Sequence, residues 1–143
     1  MMLTREMLLF HLHAGGVVMA ALVVVNLVVP FRFRWQDEMS RLSLLNRQIF
    51  QVHAVFLVLT LALFSALLLT CASALLEPSR LSRAVLIGLM IFWALRMAVQ
   101  WCFYSSALWR GHRFNTLIHY LFSGLWVYLT TVFAAALWMN LRF

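Results

Sequence analysis

Apolar residues fall into four long blocks along this chain, separated by short polar stretches. The blocks are Met7–Phe31, Gln48–Leu76, the segment between Arg83 and Arg110, and Phe114–Leu141. Each is long enough to cross a hydrocarbon layer of roughly 30 Å, for which about 20 helical residues are needed. The first, second and fourth hold no charged residue; the third holds one, Arg96. The pattern predicts helices at about 7–29, 48–76, 82–105 and 114–139. Pro30 closes the first, because proline cannot continue the hydrogen-bond ladder, and Glu77-Pro78 closes the second. The second block exceeds the required length, so its helix is expected to tilt or to project among headgroups.

The connections differ in kind. Glu77–Leu81 and Trp109–Arg113 are short, which makes the helices they join antiparallel neighbours. The first connection, about 32–46, is longer and carries Arg32, Arg34, Trp35, Asp37, Glu38 and Arg41, then Leu42, Leu44 and Leu45. Asp37 is placed to cap a short helix whose leucines lie on the bilayer while its arginines face headgroups. The expected fold is all-α: a polytopic membrane protein with four transmembrane helices in one antiparallel bundle, a single domain over 1–143.

Composition strengthens this reading. Hydrophobic residues make up 65% of the 143-residue chain and charged residues 10%, against about 25% charged in ordinary soluble domains. A water-soluble fold of this length has too little interior for that much apolar surface. The net charge of +7 would suggest nucleic acid in a soluble protein. Here every basic residue is arginine and most stand between apolar blocks, where headgroups and the positive-inside rule place them. No basic face or known module supports nucleic-acid binding.

The first and third loops hold Arg32, Arg34, Arg41, Arg47, Arg110 and Arg113; the tails and the middle loop hold Arg5, Arg80, Arg83 and Arg142. That bias predicts both termini outside and the arginine-richer loops in the cytoplasm. Arg5-Glu6 and the interrupting His11 and His13, with no small-residue cleavage site, argue that the first block stays as a helix. Cys71 and Cys102 lie near the ends of successive, oppositely directed helices, so no disulfide is expected between them, and no CxxC is present.

Candidate chemistry lies in the polar residues within the blocks, because ionisable groups at membrane depth are costly and face the bundle interior or a wet cavity. Asn46, His53 and Thr60 share one face of the second helix. Arg96 and Gln100 share a face of the third. Asn115, His119 and Ser123 line up on the fourth, with Trp126 and Thr130, and His11, Gly15, Leu22 and Asn26 on the first. His53 and His119 each follow an arginine by six residues (Arg47 and Arg113), an echo too short to establish a repeat. Depth then predicts a polar pocket toward the cytoplasmic side, formed by Asn26, Asn46, Gln51, His53, Arg96, Gln100, Asn115 and His119.

No carboxylate accompanies Arg96 inside any block, so its partner must be a carbonyl, an amide, water or an anionic ligand. One reading is therefore an anionic or amphipathic small molecule, such as a lipid headgroup, held by Arg96 with His53, His119, Gln100 and Asn115 as hydrogen-bond partners. An alternative is a b-type haem between His53 and His119, with Arg96 on a propionate. His11 and His13, two residues apart, point to different faces and do not form a metal site. The third reading is structural: the polar groups cross-link helices, and the protein is an accessory or assembly subunit whose partners are membrane lipids and another membrane protein subunit. No carboxylate pair, Ser/His/Asp set or HExxH motif points to an enzyme. Gly15 and Gly16 with Ala20 and Ala21 mark a close-packing surface on the first helix, and Ala134 to Ala136 one on the fourth.

The segments LSLLNRQIFQVH (Leu42–His53) and LWRGHRFNTLIH (Leu108–His119) resemble stretches of small, uncharacterised bacterial membrane proteins, and the similarity extends to the four-span layout. The resemblance implies a bacterial inner-membrane setting and carries no activity with it.

Overall fold

The structure is a computed structural model that describes residues 4–32, 34–105, 109 and 111–142. All regular structure among the described residues is helical: α1 (Arg5–Arg32), α2 (Trp35–Met39), α3 (Leu44–Thr70), α4 (Ala72–Leu75), α5 (Arg80–Cys102) and α6 (Arg113–Arg142). Four of these are long and apolar enough to cross a membrane. α1, α3, α5 and α6 have 28, 27, 23 and 30 residues, and an 18-residue stretch within each has a mean hydropathy of 2.3, 2.5, 1.7 and 1.6. Large apolar side chains stand exposed along all four, among them Phe10, Val55, Leu63, Leu95 and Leu121. Such surface suits the lipid of a membrane and not water. The chain is an integral membrane protein.

The helix boundaries show which local signals prevail. α1 does not stop at Pro30 but runs two residues further, with the proline inside its last turn. Proline there forfeits one N–H bond and crowds the carbonyl of Asn26, so the helix ends soon after it rather than at it. α3 begins at Leu44, earlier than hydropathy implies, because Ser43 caps it: the Ser43 side chain accepts from the Asn46 backbone N–H. It ends at Thr70 rather than Leu76, where Cys71 leaves helical geometry (φ −121°, ψ 15°) and the short α4 follows. The expected cap on α2 is corrected as well. Asp37 lies within the first turn, and the N-cap is Arg34, with no side-chain capping bond. α5 starts on a reciprocal capping box, in which the Ser79 and Ser82 hydroxyls each accept from the other's backbone N–H.

The chain divides into two compact units, one of Leu12–Ala72 and one of Met1–His11 with Ser73–Phe143. In the first, α1 and α3 form an antiparallel hairpin in close contact at Gly16. A Cβ built on Gly16 would lie 2.9 Å from Leu69 Cγ and 3.2 Å from Leu68 Cβ, so any side chain there forces the Leu69 side chain to shift. The Ser65 hydroxyl donates to the Gly16 carbonyl at 2.8 Å across this contact. Gly15 and Gly16 are buried as the sequence suggests, whereas Ala20 and Ala21 are exposed and take no part in the seam.

In the second unit α5 and α6 are antiparallel. At one end Asn140, only 1% exposed, closes the hairpin. Its amide nitrogen donates to the Leu75 carbonyl (3.1 Å), the Glu77 carbonyl (2.7 Å) and the Ser82 hydroxyl (2.9 Å). Its side-chain oxygen accepts from Arg83 Nε at 3.0 Å, and its backbone carbonyl from Arg83 Nη2 at 3.1 Å. One asparagine thus satisfies the loop carbonyls at the end of α4, the cap of α5 and a partly buried guanidinium. Mid-hairpin, Trp93 and Trp126 stack with ring centroids 5.0 Å apart. Near the N-terminus of the chain His11 Nδ1 and the Tyr128 hydroxyl are hydrogen-bonded at 2.9 Å.

Candidate functional site

The eight predicted pocket residues divide between the two units. Arg96, Gln100, Asn115 and His119 belong to the α5–α6 unit; Asn26, Asn46, Gln51 and His53 belong to the α1–α3 unit.

On α5, Arg96 and Gln100 are one turn apart, and the helix aligns them. Arg96 Nη1 donates to Gln100 Oε1 at 3.5 Å, a long bond. The guanidinium carbon lies 5.0 Å from the centre of the Trp126 ring, within the range of a cation–π contact. With its oxygen toward Arg96, the Gln100 amide presents its N–H to His119 Nδ1, 2.9 Å away. His119 is then an acceptor at Nδ1 and, as a neutral ring, carries its proton on Nε2. Trp109 lies flat on the same imidazole, 3.9 Å between centroids and 13° between planes. The tryptophan is held in place by Thr116, whose hydroxyl donates to the Trp109 carbonyl at 2.6 Å. One turn further along α6, Trp101 Nε1 donates to Ser123 Oγ at 3.1 Å.

The cluster is rich in donors and poor in acceptors. Among the described residues no carboxylate meets Arg96; its polar contact is one amide oxygen. The buried indole nitrogens of Trp93 and Trp126 also have no hydrogen-bond partner among the described residues, and orphaned buried donors are uncommon. Gln100 is 9% exposed, so its two bonds are sheltered from water and correspondingly firm. Asn115, on the first turn of α6, is exposed.

In the α1–α3 unit the predicted polar residues behave differently. The Asn26 amide donates to its own helix at the Leu22 carbonyl, 2.8 Å away, and His53 Nδ1 donates to the Ile49 carbonyl, also at 2.8 Å. That bond puts the His53 proton on Nδ1 and leaves Nε2 with its lone pair. Asn26 and His53 do share a small cavity of about 230 Å³ with Trp35, Phe50, Ala54 and Leu57. Gln51 lines a larger neighbouring cavity. Asn46 is exposed on the first turn of α3, its backbone N–H capped by Ser43 at 3.4 Å.

The residues that sequence reasoning missed are Trp109, Trp101 and Asn140. Both tryptophans lie near block ends, where aromatic belts are expected, and nothing local distinguishes a belt tryptophan from one that stacks on a histidine. Asn140 had a signal: an amide in the last turn of an apolar block needs partners as much as one at mid-depth. Arg110, counted in the third loop, lies outside the described residues. No known protein-family model matches the chain, and neither a curated protein nor a solved structure is significantly similar to it.

Proposed function

We propose that this protein is an accessory or assembly subunit of a bacterial inner membrane that binds an anionic amphipath, such as a lipid headgroup, through Arg96. In this reading the two hairpins join in one antiparallel four-helix bundle with both termini outside. The observation that carries the proposal is the state of Arg96: a partly buried guanidinium whose contacts among the described residues are a long bond to an amide oxygen and the face of an indole. A cation at membrane depth without a carboxylate retains most of its hydrogen-bonding capacity for an incoming anion. Gln100 and His119 supply orientation. The amide joins the guanidinium to the imidazole, and His119 Nε2–H is a second donor for the same ligand.

The b-type haem alternative has less support. Axial ligation by two histidines needs a lone pair on each, and the Gln100 bond gives His119 a proton at Nε2, whereas His53 Nε2 is unprotonated. Lipid mass spectrometry on gently purified protein tests the proposal. Arg96→Gln is expected to remove a copurifying anionic lipid, and Arg96→Lys to retain part of it. An unchanged lipid complement in Arg96→Gln, with the helical spectrum intact, would overturn it. An absorption spectrum of the same sample decides the haem alternative by the presence of a Soret band.

A further inference from the structure

The α1–α3 unit contains a second feature of a different chemical kind. A cavity of about 530 Å³ opens where α1 ends, lined by the last turn of α1, by α2 and its N-cap, and by the second and third turns of α3. Its size is in the range of small-molecule sites, about 300–1,000 Å³. Phe31, Trp35, Phe50 and Val55 make its apolar wall, and the Trp35 and Phe50 rings meet edge to face at 5.2 Å. Because α1 is a membrane-crossing helix and the cavity lies at its end, the wall sits where acyl chains give way to headgroups.

Two opposite charges line the same cavity, Arg34 and Asp37. They are three residues apart, yet neither side chain has an ion-pair or hydrogen-bond partner among the described residues. Arg34 also holds a left-handed backbone conformation, φ 48° and ψ 45°, which residues other than glycine, asparagine and aspartate seldom adopt. A separated cation and anion above an aromatic and aliphatic wall match one class of molecule.

The geometry points to this cavity as a binding site for a zwitterionic aminophospholipid, phosphatidylethanolamine in chemical type. Arg34 donates to the phosphodiester, Asp37 accepts from the primary ammonium, and the first methylenes of an acyl chain lie along Phe31 and Val55. The cavity holds a headgroup and the start of a chain, leaving the rest of the lipid in the bilayer. An anionic glycerol headgroup has no cation for Asp37 and is repelled by it. A choline headgroup has no N–H to donate to the carboxylate. The site belongs to the α1–α3 unit alone and does not depend on the reading of Arg96.

The test is native mass spectrometry of the full chain carrying Arg96→Gln, which removes the anionic-lipid site proposed above, delipidated in detergent and titrated with phosphatidylethanolamine, phosphatidylcholine and phosphatidylglycerol of identical acyl chains. This chain is expected to retain the ethanolamine lipid at least threefold better than either of the others. Adding Asp37→Asn should abolish that preference over choline while leaving choline-lipid binding in place, and adding Arg34→Gln should weaken all three. Equal retention of the three lipids, stronger retention of the glycerol lipid, or a preference that survives Asp37→Asn overturns the proposal. Arg34 and Asp37 are exposed, with side chains unpaired among the described residues, so their replacement is expected to leave the helical spectrum unchanged.

Discussion

In the α5–α6 hairpin several polar side chains reach across to the facing helix or its loop, although Thr130 and Thr131 bond their own helix, while in the α1–α3 hairpin most turn back on their own backbone. Asn140, Gln100 and Trp101 each bind a partner on another element. Asn26, His53, Thr60 and Thr70 each bond the carbonyl four residues earlier in their own helix. Ser65, donating to Gly16 across the contact, is the exception in α3. The difference follows from what closes each pair. α5 and α6 carry bulky indoles between them, and side chains of that length span the gap. α1 and α3 meet at Gly16 against the Leu68 and Leu69 side chains, and the bond across that contact comes from a short side chain, the Ser65 hydroxyl. A hydrogen bond to the parent helix satisfies a polar group in lipid without help from a partner. Such residues are therefore free to line cavities, as Asn26 and His53 do.

If polar cross-links hold one hairpin and close packing the other, substitutions should divide accordingly. The largest effect is expected for Asn140→Leu. It leaves Arg83 Nε and the Leu75 carbonyl without the Asn140 side chain, while Arg83 Nη2 keeps the backbone carbonyl at 140 and the Glu77 carbonyl keeps the Ser82 hydroxyl. At about 1–3 kcal/mol for each unmet buried group the cost is about 3 kcal/mol. Ellipticity during titration from mild detergent into a denaturing one measures it. A loss no larger than that of Ser65→Ala would break the comparison. Gly16→Val should follow, at about 2 kcal/mol, the usual scale of overpacking. Gly16→Ala should cost less, because better helix propensity offsets part of the clash with Leu69. Smallest are the polar groups themselves: Gln100→Leu about 1 kcal/mol, as for other interhelical bonds in membranes, and Thr60→Val within about 0.5 kcal/mol. Equal losses for Gln100→Leu and Thr60→Val in the same titration would show that cross-helix bonding adds nothing.

The candidate site is partly legible in the sequence. Helical spacing put Arg96 beside Gln100, and the absence of acidic residues in the blocks forecast a guanidinium without a carboxylate. The same reasoning treated His53 and His119 as equivalents, since each follows an arginine by six residues. The structure separates them. His53 is occupied by its own helix, and His119 is held between Gln100 and Trp109. Position along a helix sets depth and face, but not whether a facing residue has the length and chemistry to answer.

What the sequence determined alone is the set of four spans, the apolar surface they turn to lipid and the isolation of Arg96 from any acid. These are properties of composition and of helical period, and both are local. Only the tertiary structure decided that Gly16, and not Ala20 or Ala21, sets the approach of α1 to α3. It also decided that Asn140 ties down a loop 65 residues earlier, and that Arg34 and Asp37 line a single cavity without pairing. Each depends on which atoms from distant parts of the chain come within a few ångströms, and polar groups removed from water make whichever bonds that proximity allows.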